Sequence, residues 1–358
     1  MRYDNVHLHG FGYALAPVIV TTEELEDELE PTYQALHVAP GQLESMTGIA
    51  ERRWWEPGYP VVEGAIVAAT RALKAHDVPA SEIGMLLYGA VCREHFEPAT
   101  ACHVAAGLER NGFALPSTAT VFDVSNACLG VITGILEVAN RIALGQIRAG
   151  LVVASETARE INEAAIARLN RDPTLQRYVS SVATFTGGSG AVAVLVTDGS
   201  FGCTDRRLLG AATRSAPAHH RLCRWGIEPH PDAQAPADDP AMRPFAATDA
   251  SGVLEHGVAL GQQTWAAFLE TMQWQAGDLD RTICHQIGAA HRTTMLQTLG
   301  RDPATDFVAY EHLGNTGTVA LPIAAAMAHE RDFLSAGHRV GLLGIGSGLN
   351  CMMLGVQW

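Results

Sequence analysis

Cys128 is the residue whose setting most clearly suggests chemistry. Residues 119–123 have strand character and lead into a turn of small residues, and an apolar helix pattern follows over residues 131–144. A sharp strand-to-helix turn raises a cysteine side chain, and the N–H groups and positive dipole end of the helix lower a thiol pKa. The turn predicts a reactive nucleophile, although a small buried core cysteine fits the same pattern.

His285 and Asn315 stand at turns similar to that of Cys128. His285 lies in a strand pattern over residues 281–287, and Asn315 lies between a strand pattern at 307–311 and a helix pattern at 319–330. A thiolate nucleophile needs a base or hydrogen-bond partner, and an acyl-thioester intermediate needs donors for its oxyanion. Each residue alone also fits a structural role, as a core histidine or a left-handed turn asparagine. Together they favour a cysteine-dependent acyl transferase.

The second half of the chain repeats the order of elements in the first half. The unit strand–Cys128–helix–strand matches strand–Asn315–helix–strand, and the strand that ends near Glu97 matches the strand of His285. Such duplication implies two α/β halves, residues 1–199 and 200–358, with mainly parallel sheets covered by helices. Equivalent turns then meet at the centre. Residues 216–250, rich in Pro, Ala and Asp, fit no element and are predicted to form a long solvated loop between the halves.

Two further stretches carry charged side chains with open interpretations. Glu97 leaves the end of a buried strand just before Pro98, which suits either a ligand-binding edge of the sheet or a charge at a helix N-terminus. A basic and aromatic cluster, which we expect to be exposed, suits either a solvated loop with two packing tryptophans or a grip on a nucleotide or phosphate. Its members are Arg52, Arg53, Trp54 and Trp55.

Composition and charge narrow the class of protein. The 358 residues are 47% hydrophobic and 17% charged, with 35 glycines, which fits an α/β protein with a large core rather than a coiled coil or a disordered chain. A net charge of −14 argues against nucleic-acid binding. Seven cysteines without paired spacing predict reduced thiols in a cytoplasmic protein. We find no signal peptide, no membrane span and no metal motif, and His7-x-His9 is predicted to be structural.

Four motifs together resemble the thiolase superfamily, near ketoacyl-acyl-carrier-protein synthase III. They are Asn126-Ala127-Cys128, His285-Gln286, His312-Leu313-Gly314-Asn315 and Gly344-Ile345-Gly346-Ser347-Gly348. Residues 96–98, 122–129, 222–224 and 342–351 are similar, more narrowly, to the head-to-head acyl-CoA condensing enzymes of bacterial olefin biosynthesis. The resemblance covers essentially the whole chain. It implies a five-layered αβαβα fold, a homodimer and a catalytic triad of Cys128, His285 and Asn315, with the backbone N–H groups of Cys128 and Ser347 as oxyanion hole.

The residue before Pro98 separates two branches of this superfamily. In the decarboxylating synthases it is typically an aromatic residue that caps the partner's acyl pocket, and here it is Glu97. Removing an α-proton from an acyl-CoA requires a base, which a carboxylate in an apolar pocket can supply. The resemblance assigns this role to Glu97, acting in the opposite subunit's site. It implies a non-decarboxylative Claisen condensation of two fatty acyl-CoAs to a 2-alkyl-3-oxoalkanoate, through an acyl-Cys128 intermediate.

The resemblance also implies the partners and the alternatives. The partners are acyl-CoA, a second copy of the chain and downstream enzymes of olefin synthesis; the coenzyme A thioester is a substrate, and no cofactor or metal is expected. Residues 52–55 become candidates for the CoA entrance. The alternatives are a decarboxylative 3-oxoacyl synthase III or a secondary-metabolite acyltransferase on the same scaffold, and a simple cysteine thioesterase.

Overall fold

Strands and helices alternate along the chain, as its apolar runs predict. The structure is a computed structural model that describes residues 1–202, 205–229 and 242–358. The strands are β1 (His7–Leu15), β2 (Val18–Thr21), β3 (Glu51–Trp54), β4 (Ile83–Tyr88), β5 (Thr120–Asp123), β6 (Ala149–Glu156), β7 (Gly190–Thr197), β8 (Arg207–Ser215), β9 (Cys223–Pro229), β10 (Met242–Thr248), β11 (Arg281–Cys284), β12 (Arg339–Gly346) and β13 (Asn350–Gln357).

The helices are α1 (Thr22–Glu28), α2 (Glu30–Leu36), α3 (Gln42–Thr47), α4 (Val61–Ala75), α5 (Thr100–Arg110), α6 (Gly130–Ala143), α7 (Arg159–Arg171), α8 (Leu175–Phe185), α9 (Ala250–Met272), α10 (Ala289–Leu299), α11 (Tyr310–Leu313) and α12 (Ala320–Glu330). Within the described ranges, none of them is long and apolar enough to cross a lipid bilayer.

Nine strands form one sheet whose two parts repeat a single order of pairing, β11-β12-β13-β8 and β5-β4-β6-β7-β1. In the second part, β5, β4 and β6 run parallel, and β7 and β1 follow antiparallel. In the first part, β11 and β12 run parallel, and β13 and β8 follow antiparallel. The parts join where His7 of β1 pairs with Arg207 of β8. The sheet therefore contains the duplication that the sequence predicts, but five of its eight described strand pairings are antiparallel, so the prediction of mainly parallel sheets is wrong. The predicted division between residues 199 and 200 falls between β7 and β8.

Helices cover both faces of the central strands. Gly134 of α6 contacts Val152 of β6, and Gly64 of α4 contacts Ser155 of the same strand. Side chains three positions apart on a strand point to opposite faces, so α4 and α6 lie on opposite sides of the sheet. Every residue of β6 and β7 is buried as a result. This explains why these strands are continuous runs of apolar and small residues rather than alternating patterns.

The strand predicted over residues 307–311 is wrong. Among the described residues, the backbone pairs with β11 at Asp306, opposite Thr282, and helix α11 begins at Tyr310. Gln286 Oε1 accepts hydrogen bonds from the backbone N–H groups of Ala309 at 2.9 Å and Tyr310 at 3.2 Å. These donors are therefore engaged by a side chain instead of a neighbouring strand, and the chain turns into a helix.

Residues 216–250 are not the element-free loop that their composition predicts. Strands β9 and β10 pair as an antiparallel ribbon in which Cys223 lies opposite Thr248; residues 230–241 lie outside the described residues. Helix α9 then begins at Ala250. Asp249 caps it, since its carboxylate accepts a hydrogen bond from Gly252 N at 2.9 Å.

The start of α6 packs against the end of β4 through backbone alone. A Cβ atom built on Gly130 would lie 1.8 Å from the carbonyl oxygen of Gly89. Only hydrogen fits at this contact, so glycine is required for steric reasons. The contact fixes the short 3₁₀ turn Ala127–Leu129 that precedes α6, and it thereby positions Cys128.

Gly130→Ala is expected to lower the free energy of unfolding by about 1–3 kcal/mol, because neither backbone can move without displacing the sheet. Gly277→Ala is the matched control, since a Cβ there meets no atom within 4 Å, and its effect should stay within about 0.5 kcal/mol. Urea unfolding of both variants measures the difference. Equal stabilities would contradict the steric account.

His9 should make stability depend on pH. Burial first, then His76 and Arg206, lower its pKa from 6.5 to about 4. Below pH 6.5, His9 is protonated in the unfolded chain but stays neutral in the folded chain down to about pH 4. The free energy of unfolding therefore falls as the pH drops from about 6.5 to about 4, by up to about 1.4 kcal/mol per pH unit. In His9→Gln this part of the curve becomes shallower, measured by urea unfolding across pH. The same pH dependence of unfolding in His9→Gln and the parent protein would contradict this role of His9. His220→Gln, at an exposed position, is the control.

Candidate active site

A cavity of about 820 Å³ lies where turns from both parts of the sheet meet, and its walls include Cys128, His285, Asn315 and Ser347. Cys128 lies in the turn before α6, His285 follows β11, Asn315 follows α11 and Ser347 follows β12. The structure thus brings together the three residues that the repeat predicts to converge. A cavity of this size and lining is typical of a small-molecule site.

Burial sets the charge state of Cys128. Desolvation first, and then Cys223 and Glu156, raise the pKa of its thiol to about 12, while its own backbone N–H acts in the opposite direction. The predicted lowering is therefore wrong for this state of the site. Cys128 lies in the 3₁₀ turn before α6 rather than in the helix itself, and loss of water outweighs the effect of the helix terminus. The thiol is neutral near pH 7, so the thiolate must form by proton transfer within the site.

His285 offers a neutral imidazole for that transfer. It is buried, and desolvation followed by the nearby His291 lowers its pKa to about 3. Its backbone N donates to Leu343 O at 2.9 Å, which fixes it at the end of β11. Its Nδ1 has no hydrogen-bond partner among the described residues. A neutral imidazole can accept a proton from a thiol or donate one to an oxygen.

Asn315 is held by the segment that precedes β7. Its backbone N donates to Thr186 O at 2.8 Å, and its backbone O accepts from Gly188 N at 3.0 Å. The side-chain Oδ1 accepts from Gly317 N at 3.1 Å. Among the described residues, Nδ2 donates to no protein acceptor. The side-chain amide of Asn315 is thus oriented through its oxygen, and its N–H groups can donate to a ligand in the cavity.

The turn after β12 comes close to the backbone of Cys128. A Cβ atom built on Gly346 would lie 3.4 Å from Cys128 N. Ser347, the next residue, is half-buried and lines the cavity. The proximity is compatible with the predicted oxyanion hole from the backbone N–H groups of Cys128 and Ser347, which stays a prediction.

Glu97 does not line this cavity. It is exposed, in the loop between β4 and α5, beside Phe96, whose side chain is 92% exposed. Arg93 anchors the start of this loop through an ion pair of 3.2 Å between its Nε and Asp123 Oδ2. A single chain therefore does not combine Glu97 with Cys128. The role of Glu97 in the opposite subunit's site stays a prediction.

One group of side chains in the described ranges could hold a metal ion, namely Glu94, His95 and His103, whose ligand atoms lie within 4.8 Å of one another. It lies outside the cavity, and Glu94 and His95 are exposed. Glu94 Oε1 already accepts a hydrogen bond from Val62 N at 3.1 Å. The described residues that line the cavity form no such group.

The cluster at residues 52–55 is not the exposed surface predicted for a CoA entrance. Arg52, Trp54 and Trp55 are buried, and none of the cluster lines the cavity. Arg52 donates to Thr22 Oγ1 at 2.9 Å and to Phe185 O at 3.0 Å, and desolvation lowers its pKa to about 10.

The two indoles of this cluster are likewise used within the fold. Trp54 Nε1 donates to Gly187 O at 3.2 Å, and Trp55 Nε1 donates to Glu156 O at 3.0 Å. Arg52 and Trp54 lie on the inward face of β3, and Trp55, just after the strand, is buried with its indole hydrogen-bonded to Glu156, so all three have contacts within the fold. Arg53 is half-buried, and its predicted role stays untested.

Sequence reasoning assigned no role to two groups of residues that line the cavity. From the β9–β10 ribbon, Cys223, Arg224 and Trp225 line the cavity, and the Arg224 guanidinium stacks over Phe245 at 5.4 Å. The alternation of apolar and polar residues from 222 onward was the available signal. Glu156 also lines the cavity, buried at the end of β6. The signal for Glu156 was a carboxylate that ends an otherwise apolar strand.

Comparison with known proteins identifies the family. Residues 269–358 match the family model for the C-terminal part of 3-oxoacyl-(acyl-carrier-protein) synthase III. The chain is 47% identical to acyl-CoA:acyl-CoA alkyltransferase of Shewanella oneidensis, with 100% of both chains covered. Cerulenin-bound OleA of Xanthomonas campestris matches with a TM-score of 0.91 and 31% identity, over 100% of this chain and 98% of that chain. This chain belongs to the OleA family of the thiolase superfamily.

A second OleA structure, from Xanthomonas campestris with bound lauric acid and lauroyl-CoA, matches with a TM-score of 0.90 and 31% identity, over 99% of this chain and 100% of that chain. The predicted thiolase-like fold class is confirmed, and so is membership of a family of acyl-transferring enzymes. The OleA family thus accounts for the duplicated sheet and for a cavity between its two parts.

Arg52 provides a test of its structural role. Arg52→Gln removes hydrogen bonds of a buried guanidinium and should lower the free energy of unfolding by about 2 kcal/mol. Arg110→Gln is the matched control, because its side chain is 65% exposed, and it should cost about 0.5 kcal/mol or less. Urea unfolding measures both. Equal stability of Arg52→Gln and the parent protein would show that the buried contacts of Arg52 are dispensable.

Proposed function

We propose that this protein condenses two fatty acyl-CoA molecules head to head, without decarboxylation, to a 2-alkyl-3-oxoalkanoate. The observation that carries the proposal is one cavity lined by Cys128, His285 and Asn315 in a member of the OleA family. The half-buried thiol supplies a nucleophile, the neutral histidine a proton acceptor, and the asparagine amide a hydrogen-bond donor.

In the first step, the Cys128 sulfur attacks the thioester carbonyl of one acyl-CoA, and the bond to the CoA sulfur breaks. His285 takes the thiol proton and passes it to the leaving CoA thiolate. An imidazolium beside the sulfur favours the thiolate, which offsets the high thiol pKa that burial causes. Donors around the carbonyl oxygen, which we assign to the backbone N–H groups of Cys128 and Ser347, stabilise the tetrahedral oxyanion.

In the second step, Glu97 of the partner subunit removes an α-proton from the second acyl-CoA. The carbanion attacks the acyl-Cys128 carbonyl, a carbon–carbon bond forms, and the Cys128 sulfur leaves. Asn315 and His285 donate hydrogen bonds to the enolate oxygen that develops on the second thioester. Water then hydrolyses that thioester, so two acyl-CoA and one water give one 3-oxo acid and two CoA. No cofactor beyond the CoA of the substrates takes part in these steps.

The dimer that this mechanism requires is supported by two features of the single chain. Phe96 and Glu97 are exposed together on one loop, which is unusual for a large apolar side chain and suits an interface. Strand β5 is the last strand of the sheet, so one of its edges is open among the described residues. A second copy can pair along that edge about a two-fold axis.

Arg224 and Trp225 replace residues 52–55 as our candidates for CoA contact. Both are exposed, and both line the cavity from the β9–β10 ribbon. A guanidinium can pair with phosphate and an indole can stack on a base. Since acyl-CoA is the substrate, we propose a cytoplasmic enzyme whose product passes to downstream enzymes of olefin synthesis.

The reaction is tested with myristoyl-CoA alone. We expect release of CoA and formation of the condensed 3-oxo acid or its derived ketone, measured by mass spectrometry. Cys128→Ala should abolish both. Glu97→Gln should retain acylation of Cys128 but slow condensation by about 100-fold or more, because it removes the base. Glu109→Gln, the same change at an exposed position of α5, is the control.

Three results would contradict the proposal. Free fatty acid without a carbon–carbon bond would indicate a thioesterase. Product that depends on a malonyl thioester and survives Glu97→Gln would indicate the decarboxylative reaction. Unchanged turnover of acyl-CoA by Cys128→Ala would exclude Cys128 as the nucleophile.

A further inference from the structure

A buried carboxylate, Glu156, contacts the beginning of the loop that carries Glu97. It ends β6, is 3% exposed and lines the cavity. Its Oε1 accepts a hydrogen bond from Val91 N and its Oε2 accepts one from Cys92 N, both at 3.0 Å. Two adjacent peptide N–H groups that bind the two oxygens of one carboxylate fix the direction of the chain at that point. The path of the loop toward Glu97 is therefore set at Glu156.

The same carboxylate packs against the turn that follows Asn315. A Cβ atom built on Gly317 would lie 3.2 Å from Glu156 Oε1, and the backbone N–H of Thr318 donates to the carboxylate. Gly317 N in turn donates to the Asn315 side chain at 3.1 Å. The carboxylate thus supports the turn that orients the Asn315 amide.

Thr318 extends this contact to the helix behind the nucleophile. Its Oγ1 accepts a hydrogen bond from Val131 N at 2.9 Å, in the first turn of α6. Cys128 immediately precedes this helix. One carboxylate therefore contacts the Glu97 loop and the Asn315 turn directly, and the Cys128 turn through a single intervening residue.

Burying a carboxylate costs free energy, so packing alone does not explain a glutamate at position 156. Burial disfavours its charge and raises the pKa of Glu156, which hydrogen bonds from the Cys92 thiol and from backbone N–H groups partly offset. A well-packed apolar residue of similar volume avoids this cost. What an apolar residue cannot do is accept hydrogen bonds from two separate segments, so we take the acceptor oxygens as the function of this side chain.

We propose that Glu156 is a positioning residue that aligns two active sites of the dimer at once. The inference rests on the proposed function, in which Glu97 serves the partner's site while Cys128 and Asn315 serve their own. In each chain, Glu156 fixes the loop that presents Glu97 to the other subunit. It also fixes the turns that carry Cys128 and Asn315 in the chain's own active site. Binding and condensation in one site thus depend on a side chain in each subunit.

Two substitutions separate hydrogen-bond acceptance from packing. Glu156→Gln keeps the size of the side chain but replaces one acceptor oxygen with a donor. Glu156→Asp is shorter but keeps both acceptor oxygens. We expect Glu156→Gln to lower kcat for condensation at least 10-fold with KM for myristoyl-CoA changed less than twofold, and Glu156→Asp to retain more activity. The opposite ranking, or no loss in Glu156→Gln, would overturn the inference. Glu109→Gln is the control at an exposed position.

Hybrid dimers separate the effect of Glu156 on the Glu97 loop from its effect on the turns that carry Cys128 and Asn315. Differently tagged chains, one with Cys128→Ala and one with Glu97→Gln, form a hybrid in which only one site holds both a nucleophile and a base. Adding Glu156→Gln to the Cys128→Ala chain should slow condensation at that site at least 10-fold while acylation stays unchanged. Adding it to the Glu97→Gln chain should slow acylation. If neither placement has an effect in an active hybrid, Glu156 has no positioning role. Glu156→Asp replaces the glutamine variant if the latter does not fold.

An inactive parent hybrid would instead contradict the proposed cross-subunit base, and hydrogen exchange then decides the inference without any activity. In Glu156→Gln, the amides of Val91, Cys92, Asn315 and Gly317 should exchange at least 10-fold faster, with exchange of β7 unchanged. Equal protection in both segments would overturn the positioning role. Faster exchange throughout the protein would also overturn it, since it would indicate general destabilisation.

Discussion

Close approach of backbone to backbone at the centre of the molecule is the constraint on which the site depends. The start of α6 lies against the end of β4, where the Gly130 position leaves room for hydrogen alone. A similar contact occurs where Gly188 faces Leu313 O, since a Cβ there would lie 2.0 Å from that oxygen. The first contact places the nucleophile turn and the second joins the Asn315 turn to β7. Contacts between backbone atoms therefore position the turns of the site, and the side chains on those turns determine its chemistry.

Burial that follows from this packing determines the charge states of the site. Desolvation raises the pKa of Cys128 and lowers that of His285, so both side chains are neutral before substrate binds. Transferring one proton from sulfur to imidazole creates two charges that stabilise each other in a medium of low polarity. In the proposed mechanism the nucleophile is activated by its neighbour and not by a helix terminus. Such a pair has little reactivity toward water until a thioester occupies the cavity.

The sequence predicted the residues whose chemistry depends on order along the chain. Cys128, His285 and Asn315 were found because duplicated units place equivalent turns together, and topology alone carries that inference. Prediction from the sequence failed where a side chain from a distant part of the chain determines the local structure. Gln286 turns a predicted strand into α11 by capturing two N–H groups, and inward pairing of β3 with β2 buries Arg52. Neither contact is visible in a local pattern of residue types.

Residues 216–250 and Glu156 show two further limits. The ribbon of β9 and β10 lies in a segment whose composition is typical of a loop, because composition averages over the strands and the turn between them. Glu156 was passed over as the polar end of an apolar strand. Its importance follows from the N–H groups of Val91 and Cys92, which come from a different part of the chain. Functional carboxylates of this kind are recognised by their partners rather than by their neighbours in sequence.

The exposed position of Glu97 gives the strongest argument that one chain is half of a working unit. A base for carbon acids needs an apolar environment to raise its proton affinity, and the isolated loop offers Glu97 only solvent. Phe96 beside it exposes a large apolar surface that water solvates poorly. The proposed two-fold dimer would solve both problems with one contact, because in it each loop is buried by the other subunit and both sites are completed together. In that proposed dimer, the geometry of each loop belongs to the opposite active site, so a change in one chain's loop acts on the partner's site.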